Sequence, residues 1–349
     1  MISIKNILVV GTLVAFSNLL IACGNEPRIK HQIFVDSVKL GLDTTKVSPL
    51  KQAIQPLDTI KYNQKLISLA NGDTSGRWPV KQRPYPLAGA ILPFKRVVAY
   101  YGNLYSKKMG ILGELPPNEM LAKLDVEVKR WEKADPETPV QPALHYIAVV
   151  AQGDSGKDGK YRYRMPDKPI DSVLSIAKKR DAIVFLDIQV ALSDIHTELP
   201  LLEKYLKLPQ VHLGIDPEFS MKTGVKPGTK IGTYDAADIN FCSNYLAKLV
   251  RENNLSPKIF VIHRFTKNMV TNSKSIKPHS EVQLVMHMDG WGEPELKRGS
   301  YRYFIYMEPV QFAGFKLFYK NDLKKAPHHM MTPEELMKLR PRPIYVQYQ

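Results

Sequence analysis

Four carboxylates in the second half of the chain have the spacing for acid–base chemistry. Asp216 and Glu218 sit two residues apart in an Asp-Pro-Glu that ends a short β-branched run, so strand parity puts both on one side. Asp187 and Asp289 end two other such runs. Carboxyl groups crowded into a half-buried cleft push one another's pKa values apart, which supplies one proton donor and one ionised partner. Cleavage of a glycosidic bond uses such a pair. On that reading Glu218 is the general acid and Asp216 orients it or stabilises developing charge, with Asp187 or Asp289 as the partner carboxylate. The plainer role for any one of them is an ion pair with Arg or Lys, or a cap on the next helix.

Around the carboxylates lie groups suited to holding a substrate. Tyr100 and Tyr101, followed by Gly102-Asn103, offer aromatic faces that stack on sugars, although strand aromatics also serve as core and one of the two is expected to do so. Gln189 shares a face with Asp187, and His263 and His287 share one with Asp289. Two histidines near a carboxylate can ligate a metal. A metal hydrolase of the barrel type would offer His-x-His on its first strand and Asp on its last, whereas these strands read Val-Val-Ala-Tyr-Tyr and Ile-Tyr-Val-Gln-Tyr. The expectation is therefore no metal, with the histidines as hydrogen-bonded partners. His145, among Ile147, Val149 and Val150, reads as a satisfied core histidine. The loop Gln152–Arg164 carries Lys160, Arg162 and Arg164, which can grip an anionic or sugar ligand or remain solvated. No G-x-G-x-x-G, P-loop or Gly-x-Ser-x-Gly elbow is present, so nucleotide and esterase readings have no local support, and no cofactor is expected.

These residues need strands to carry them. Short β-branched or aromatic runs at Arg96–Tyr101, Ala143–Ala151, Ala182–Gln189, Gln210–Asp216, Lys258–Phe265, Glu281–Asp289, Phe315–Tyr319 and Ile344–Tyr348 alternate with helical patterns at Pro117–Lys133, Ser172–Arg180, Glu198–Leu206, Ala236–Asn253 and Pro333–Leu339. Eight strands in about 250 residues predict an α/β fold of the (β/α)8 TIM-barrel type over residues 96–349. A doubly wound open sheet is the alternative, disfavoured by the missing glycine-rich loop. Parity sets Val211, Leu213 and Ile215 against His212, Gly214, Asp216 and Glu218, and Val184, Leu186 and Ile188 against Ile183, Phe185, Asp187 and Gln189. Likewise Leu284, Met286 and Met288 oppose Gln283, Val285, His287 and Asp289. Polar groups thus gather at the C-terminal ends of strands, where barrel enzymes carry their sites. The aromatic stretch between Gly290 and Gly314 fits no regular element.

The N-terminus points to the compartment. A lone Lys5 precedes an apolar run from Ile7 to Ile21, too short to span a bilayer but right for a secretory signal, and Leu20-Ile21-Ala22-Cys23 resembles a bacterial lipobox. The predicted organisation is a lipoprotein signal peptide over 1–22, a proline-punctuated tether and barrel-packing segment over 23–95, and the barrel. Cys23 is the expected lipidation site and membrane anchor; Cys242 reads as an inert packed thiol. Two cysteines are too few for a disulfide framework. Lys and Arg total 49 against 34 Asp and Glu, a net charge of +15 that suits anionic partners. Export makes nucleic acid an unsuitable one.

The segments Val97-Val-Ala-Tyr-Tyr-Gly, Phe185-Leu-Asp-Ile-Gln, Gly214-Ile-Asp-Pro-Glu-Phe, Val261-Ile-His-Arg-Phe and His287-Met-Asp-Gly resemble those of a family of exported bacterial (β/α)8-barrel lipoproteins, uncharacterised in activity and glycoside-hydrolase-like in appearance. The resemblance covers roughly Arg96 to Gln349. It implies a barrel with Asp187, Asp216, Glu218, His263 and Asp289 at its mouth. Asp216 and Glu218 are similar to the Asp-x-Glu ending of a chitinase-type fourth strand, whose earlier aspartates are replaced here by Val211 and Gly214, and the seventh strand lacks the nucleophilic Glu of the largest glycosidase clan. The expected protein is a monomeric, lipid-anchored component of the bacterial cell envelope that hydrolyses or binds a carbohydrate polymer. The alternative is a non-catalytic glycan-binding or envelope-assembly lipoprotein.

Overall fold

A computed structural model describes residues 56–81 and 83–349; the predicted signal peptide, Cys23 and the first part of the tether lie outside the described residues. Eight parallel strands close the barrel: β1 Arg96–Gly102, β2 Val140–Ala151, β3 Ile183–Ile188, β4 Val211–Ile215, β5 Lys258–Arg264, β6 Val282–Met288, β7 Phe312–Leu317 and β8 Tyr345–Tyr348, and a short strand, Arg162–Arg164, adds antiparallel to the end of β2. Each pairs in parallel with the next, and β8 returns to β1 through the register Val97↔Tyr345 to Tyr100↔Tyr348. Because β1 also pairs with β2, the sheet is closed and the open-sheet alternative is excluded. The chain is a (β/α)8 barrel.

Alternation along the strands sorts the apolar residues into two clusters. Val184, Leu186 and Ile188, Val211, Leu213 and Ile215, and Leu284, Met286 and Met288 join the layer between sheet and helices. Val97, Ala99, Ile183, Phe185, Val261 and Val285 fill the interior. Period-2 side-chain direction explains both. The outer layer is completed by α2 Pro117–Ala134, α3 Asp167–Lys178 and α4 Ala236–Glu252. Helix α4 begins with Asp235 and Asp238 in a capping box, the arrangement that satisfies its first free N–H groups.

Three elements differ from the sequence expectation. A helix, α1 Thr59–Ala70, lies in the segment read as tether; Asp58 caps it by accepting from Lys61 N, and Tyr62, Leu66 and Leu69 pack on the interior cluster. That one narrow stripe, with Ile60 and Ile67 left in solvent, is too sparse a period to signal a helix among prolines. The expected helix Glu198–Leu206 is broken into single turns, Ile195–Glu198, Leu199–Leu202 and Glu203–Leu206, because Pro200 removes a donor. The aromatic stretch forms α5 Pro294–Tyr301, whose last residue Tyr301 turns inward against Phe315, followed by a π-helical turn, Arg302–Tyr306, in which Tyr303 turns outward.

The N-terminal mouth is closed. Leu92 is fully buried there, and Gln283 from inside β6 accepts from the backbone N–H groups of Ile91 and Leu92 while donating to the Leu92 carbonyl. Among the described residues, no helix is long and apolar enough to cross a membrane.

Candidate functional site

At the other mouth the inward positions of the strands are polar. Strand β1 contributes Tyr101, β2 His145, β3 Asp187 with Gln189 just beyond, β5 His263, β6 His287 with Asp289 just beyond, β7 Lys316 and β8 Gln347. Asp216 and Glu218 follow β4, in the 3-10 turn Pro217–Phe219, where an Asp216 oxygen accepts the Glu218 N–H at 3.0 Å. All of them are buried except Glu218, which keeps part of its surface.

Asp187 is the centre of the network. Its Oδ2 accepts from the Tyr101 hydroxyl at 3.1 Å, and its Oδ1 faces His145 Nε2 at 3.3 Å and His263 Nε2 at 3.5 Å without a hydrogen bond to either. His263 Nδ1 donates to Asp289 Oδ2 at 2.6 Å, and the Lys316 ammonium sits 2.9 Å from Asp289 Oδ1 and 3.8 Å above the Tyr101 ring. Gln189 donates to the Tyr101 hydroxyl and to Asp216 Oδ2, both at 3.3 Å, and accepts from Ala151 N. His145 Nδ1 meets the Tyr345 hydroxyl at 2.6 Å, which also takes a hydrogen bond from Gln347.

Charge divides sharply within this space. Burial would push the Asp187 carboxyl up, but His263 and His145 hold it well below the usual carboxylate range. Asp289 is held down in the same way by Lys316 and His263 against its burial. Burial opposes charge on His263, yet Asp289 and Asp187 raise it to about 10. Burial, reinforced by the Asp289 and Asp187 charges against His263, lifts Asp216 to about 7. Glu218 is raised to about 8 by desolvation beneath the mouth, with Asp216 and Asp289 adding to it. Burial drops His145 to about 4 and His287 well below its ordinary value, so both are neutral. At neutral pH Asp187 and Asp289 are therefore ionised, and Glu218 keeps its proton.

The sequence positions Asp187, Gln189, Asp216, Glu218, His263, His287, Asp289 and Tyr101 thus converge. Tyr100 does not: parity turns it outward, where it is fully buried against Tyr319 and Tyr348, so it cannot stack on a ligand at the mouth. His145 is not a satisfied core residue, since its Nε2 has no hydrogen-bond partner. Lys316, missed in the sequence, was legible as the inward residue between outward Phe315 and Leu317. Arg162 and Arg164 are engaged by Glu198 rather than free to grip a ligand. His145, Asp187 and His263 bring three donor atoms within 4.8 Å of one another, a grouping that can hold a metal.

A groove of about 390 Å³ lies at the far end, between α1 and the segment holding Pro79, Lys81, Arg83 and Tyr85, with Tyr62 on the helix side. It has no carboxylate in its lining and offers no acid–base pair.

No protein-family model and no curated protein matches the chain. Among solved structures it is similar to Thermotoga maritima Cel5A in complex with cellobiose, at 11% identity and a TM-score of 0.41, over 72% of this chain and 88% of that one. A mutant form of Cel5A in complex with cellobiose substrate is similar at 12% identity and a TM-score of 0.38, over 73% of this chain and 88% of that one. The fold assignment stands on the closed parallel sheet.

Proposed function

We propose that this chain is a lipid-anchored cell-envelope protein whose barrel hydrolyses a carbohydrate polymer of the cell surface. The reading rests on the carboxyl groups gathered at one mouth: Glu218, partly exposed and raised to about 8 by burial, and Asp289, held down by Lys316 and His263, which contact it at 2.9 and 2.6 Å. Glu218 donates its proton to the glycosidic oxygen as the bond breaks. Asp216 fixes the Glu218 turn by accepting its backbone N–H. Asp289, 8% exposed, is the partner carboxylate that a substrate at the mouth can approach, whereas Asp187 is fully enclosed. Lys316 and His263 hold Asp289 in its ionised form. Cys23 carries the lipid that keeps the barrel at the membrane.

Release of reducing sugars from a panel of envelope and environmental polysaccharides tests the chemistry. Product from the wild-type chain and none from folded Glu218→Gln is expected; equal product from both would remove Glu218 from the mechanism. Glycan binding unchanged by Glu218→Gln, with no product from either protein, would instead support a non-catalytic binding lipoprotein. For the anchor, Cys23→Ser is expected to shift the protein from the membrane fraction to the soluble one.

A further inference from the structure

Beneath the carboxylate mouth three polar atoms meet with nothing to bond to. His145 Nε2, Asp187 Oδ1 and His263 Nε2 belong to fully buried residues, and none has a hydrogen-bond partner. A buried orphan of this kind is costly, and three facing one another call for a common occupant. The spacing says which kind. Three ligands of a tetrahedral ion with bonds of about 2.0–2.1 Å stand about 3.3–3.4 Å apart; Asp187 Oδ1 lies 3.3 Å from His145 Nε2 and 3.5 Å from His263 Nε2, and all three donor atoms lie within 4.8 Å of one another.

The second atom of every donor group is already held. His145 Nδ1 is bound to the Tyr345 hydroxyl, His263 Nδ1 to the Asp289 carboxylate and Asp187 Oδ2 to the Tyr101 hydroxyl. Such outer contacts aim a ligand set at one point, the carboxylate–histidine pair being a recurrent form. Their close approach depends on Gly214 on β4. A Cβ built there would lie 2.4 Å from His145 Nε2 and 2.5 Å from Asp187 Oδ1, so only glycine lets these two donors come this close to each other against the strand.

We infer that His145, Asp187 and His263 bind one divalent transition-metal ion inside the barrel, the ion taking the place of the proton on His263 Nε2, which goes to solvent, and Gly214 letting two of the donors approach each other. Two imidazoles and a carboxylate suit Zn²⁺ or its first-row neighbours rather than Mg²⁺ or Ca²⁺, which take oxygen ligands. The site goes beyond the glycosidase reading and does not depend on it: Asp187 becomes a metal ligand, while Glu218 and Asp289 remain at the mouth.

The test is metal content, which needs no substrate. The full chain is purified without chelator and analysed for metals, then stripped and titrated with Zn²⁺ against a chromophoric chelator. One equivalent per chain is expected, lost in Asp187→Asn and in Gly214→Ala, which retains every donor but displaces His145 and Asp187. Tyr345→Phe, which touches no metal, is expected to weaken binding by about 10- to 100-fold. No stoichiometric uptake by the wild type would overturn the site, as would equal uptake by folded Asp187→Asn, which would place the ion on surface histidines. Should the variants not fold, the visible spectrum of the Co²⁺-loaded wild type decides. Intense four-coordinate bands support the site, and a pale six-coordinate spectrum refutes it. Failure of polysaccharide cleavage would leave this result untouched.

Discussion

The two ends of one barrel solve opposite problems with the same strands. At the base, buried polar groups are satisfied by protein: Arg96 pairs with Asp135 and donates to the Pro343 carbonyl, Lys258 donates to the carbonyls of Leu208 and Val211, and Gln283, inside the barrel, grips the backbone around Leu92. At the C-terminal mouth, His145, Asp187, His263, His287 and Gln347 each keep a buried atom without a partner. Among the described residues, His212 Nε2, below them in the interior, and Arg83 Nε and His279 Nε2, ahead of β1 and β6, depart from the pattern. Buried polar groups with protein partners add stability and order, whereas those without cost stability and persist where a ligand is to be met. The base is therefore the structural end and the mouth the chemical one.

Single substitutions break the comparison most directly. Glu218→Gln removes a general acid, an effect of about 10²- to 10⁴-fold on the rate of cleavage, while leaving the unfolding midpoint close to wild type because the side chain is only partly buried. Leu92→Ala should do the reverse. Leu92 is fully enclosed in the interior cluster, so its truncation costs about 2–5 kcal/mol of stability with cleavage per folded molecule unchanged. Denaturant unfolding and initial rates, measured on both variants, separate the two ends; a large activity loss in folded Leu92→Ala would join them.

Lys258 sharpens the contrast through pH. Burial lowers it to about 7 in the folded chain, against about 10.4 unfolded. Between those values the unfolded chain holds a proton that the folded chain lacks, so stability rises with pH across the window. That gain is complete above the unfolded pKa and lost as pH falls through 7. Lys258→Met should lack this slope, and parallel stability–pH curves for the two proteins would show that Lys258 keeps its charge when folded. At the mouth the sign concerns activity instead: Glu218 must be protonated to donate, so cleavage falls as pH rises through about 8.

Much of this was legible from residue types. Alternation in Val211–Ile215 and Val282–Met288 assigned each side chain to its layer, because a strand has one period and the barrel leaves each face one environment. Strand-end position then gathered Asp187, Asp216, Glu218, His263 and Asp289. What the sequence does not display is pairing across the barrel. His145 and Tyr345 are 200 positions apart, and only closure of β8 on β1 brings the one to the other. Helix α1 was hidden for a related reason, since its three packed residues take their meaning from the open base they cover.

The smallest effect concerns adjacent tyrosines. Tyr319 donates its hydroxyl proton to Glu127 Oε1 at 2.9 Å, so the 2.9 Å contact between the Tyr100 and Tyr319 hydroxyls has Tyr100 as donor. Tyr100→Phe deletes that one hydrogen bond in the layer between sheet and α2, a loss of about 1 kcal/mol, and should leave cleavage unaltered. Tyr101→Phe, one residue on and facing inward, removes the donor to Asp187 and the group that Gln189 holds. Its effect should fall on cleavage and on metal affinity, with little on the unfolding midpoint beyond that single bond. If Tyr100→Phe impaired cleavage as much as Tyr101→Phe does, the division between an outer structural layer and an inner chemical one would fail at the strand where it is drawn most finely.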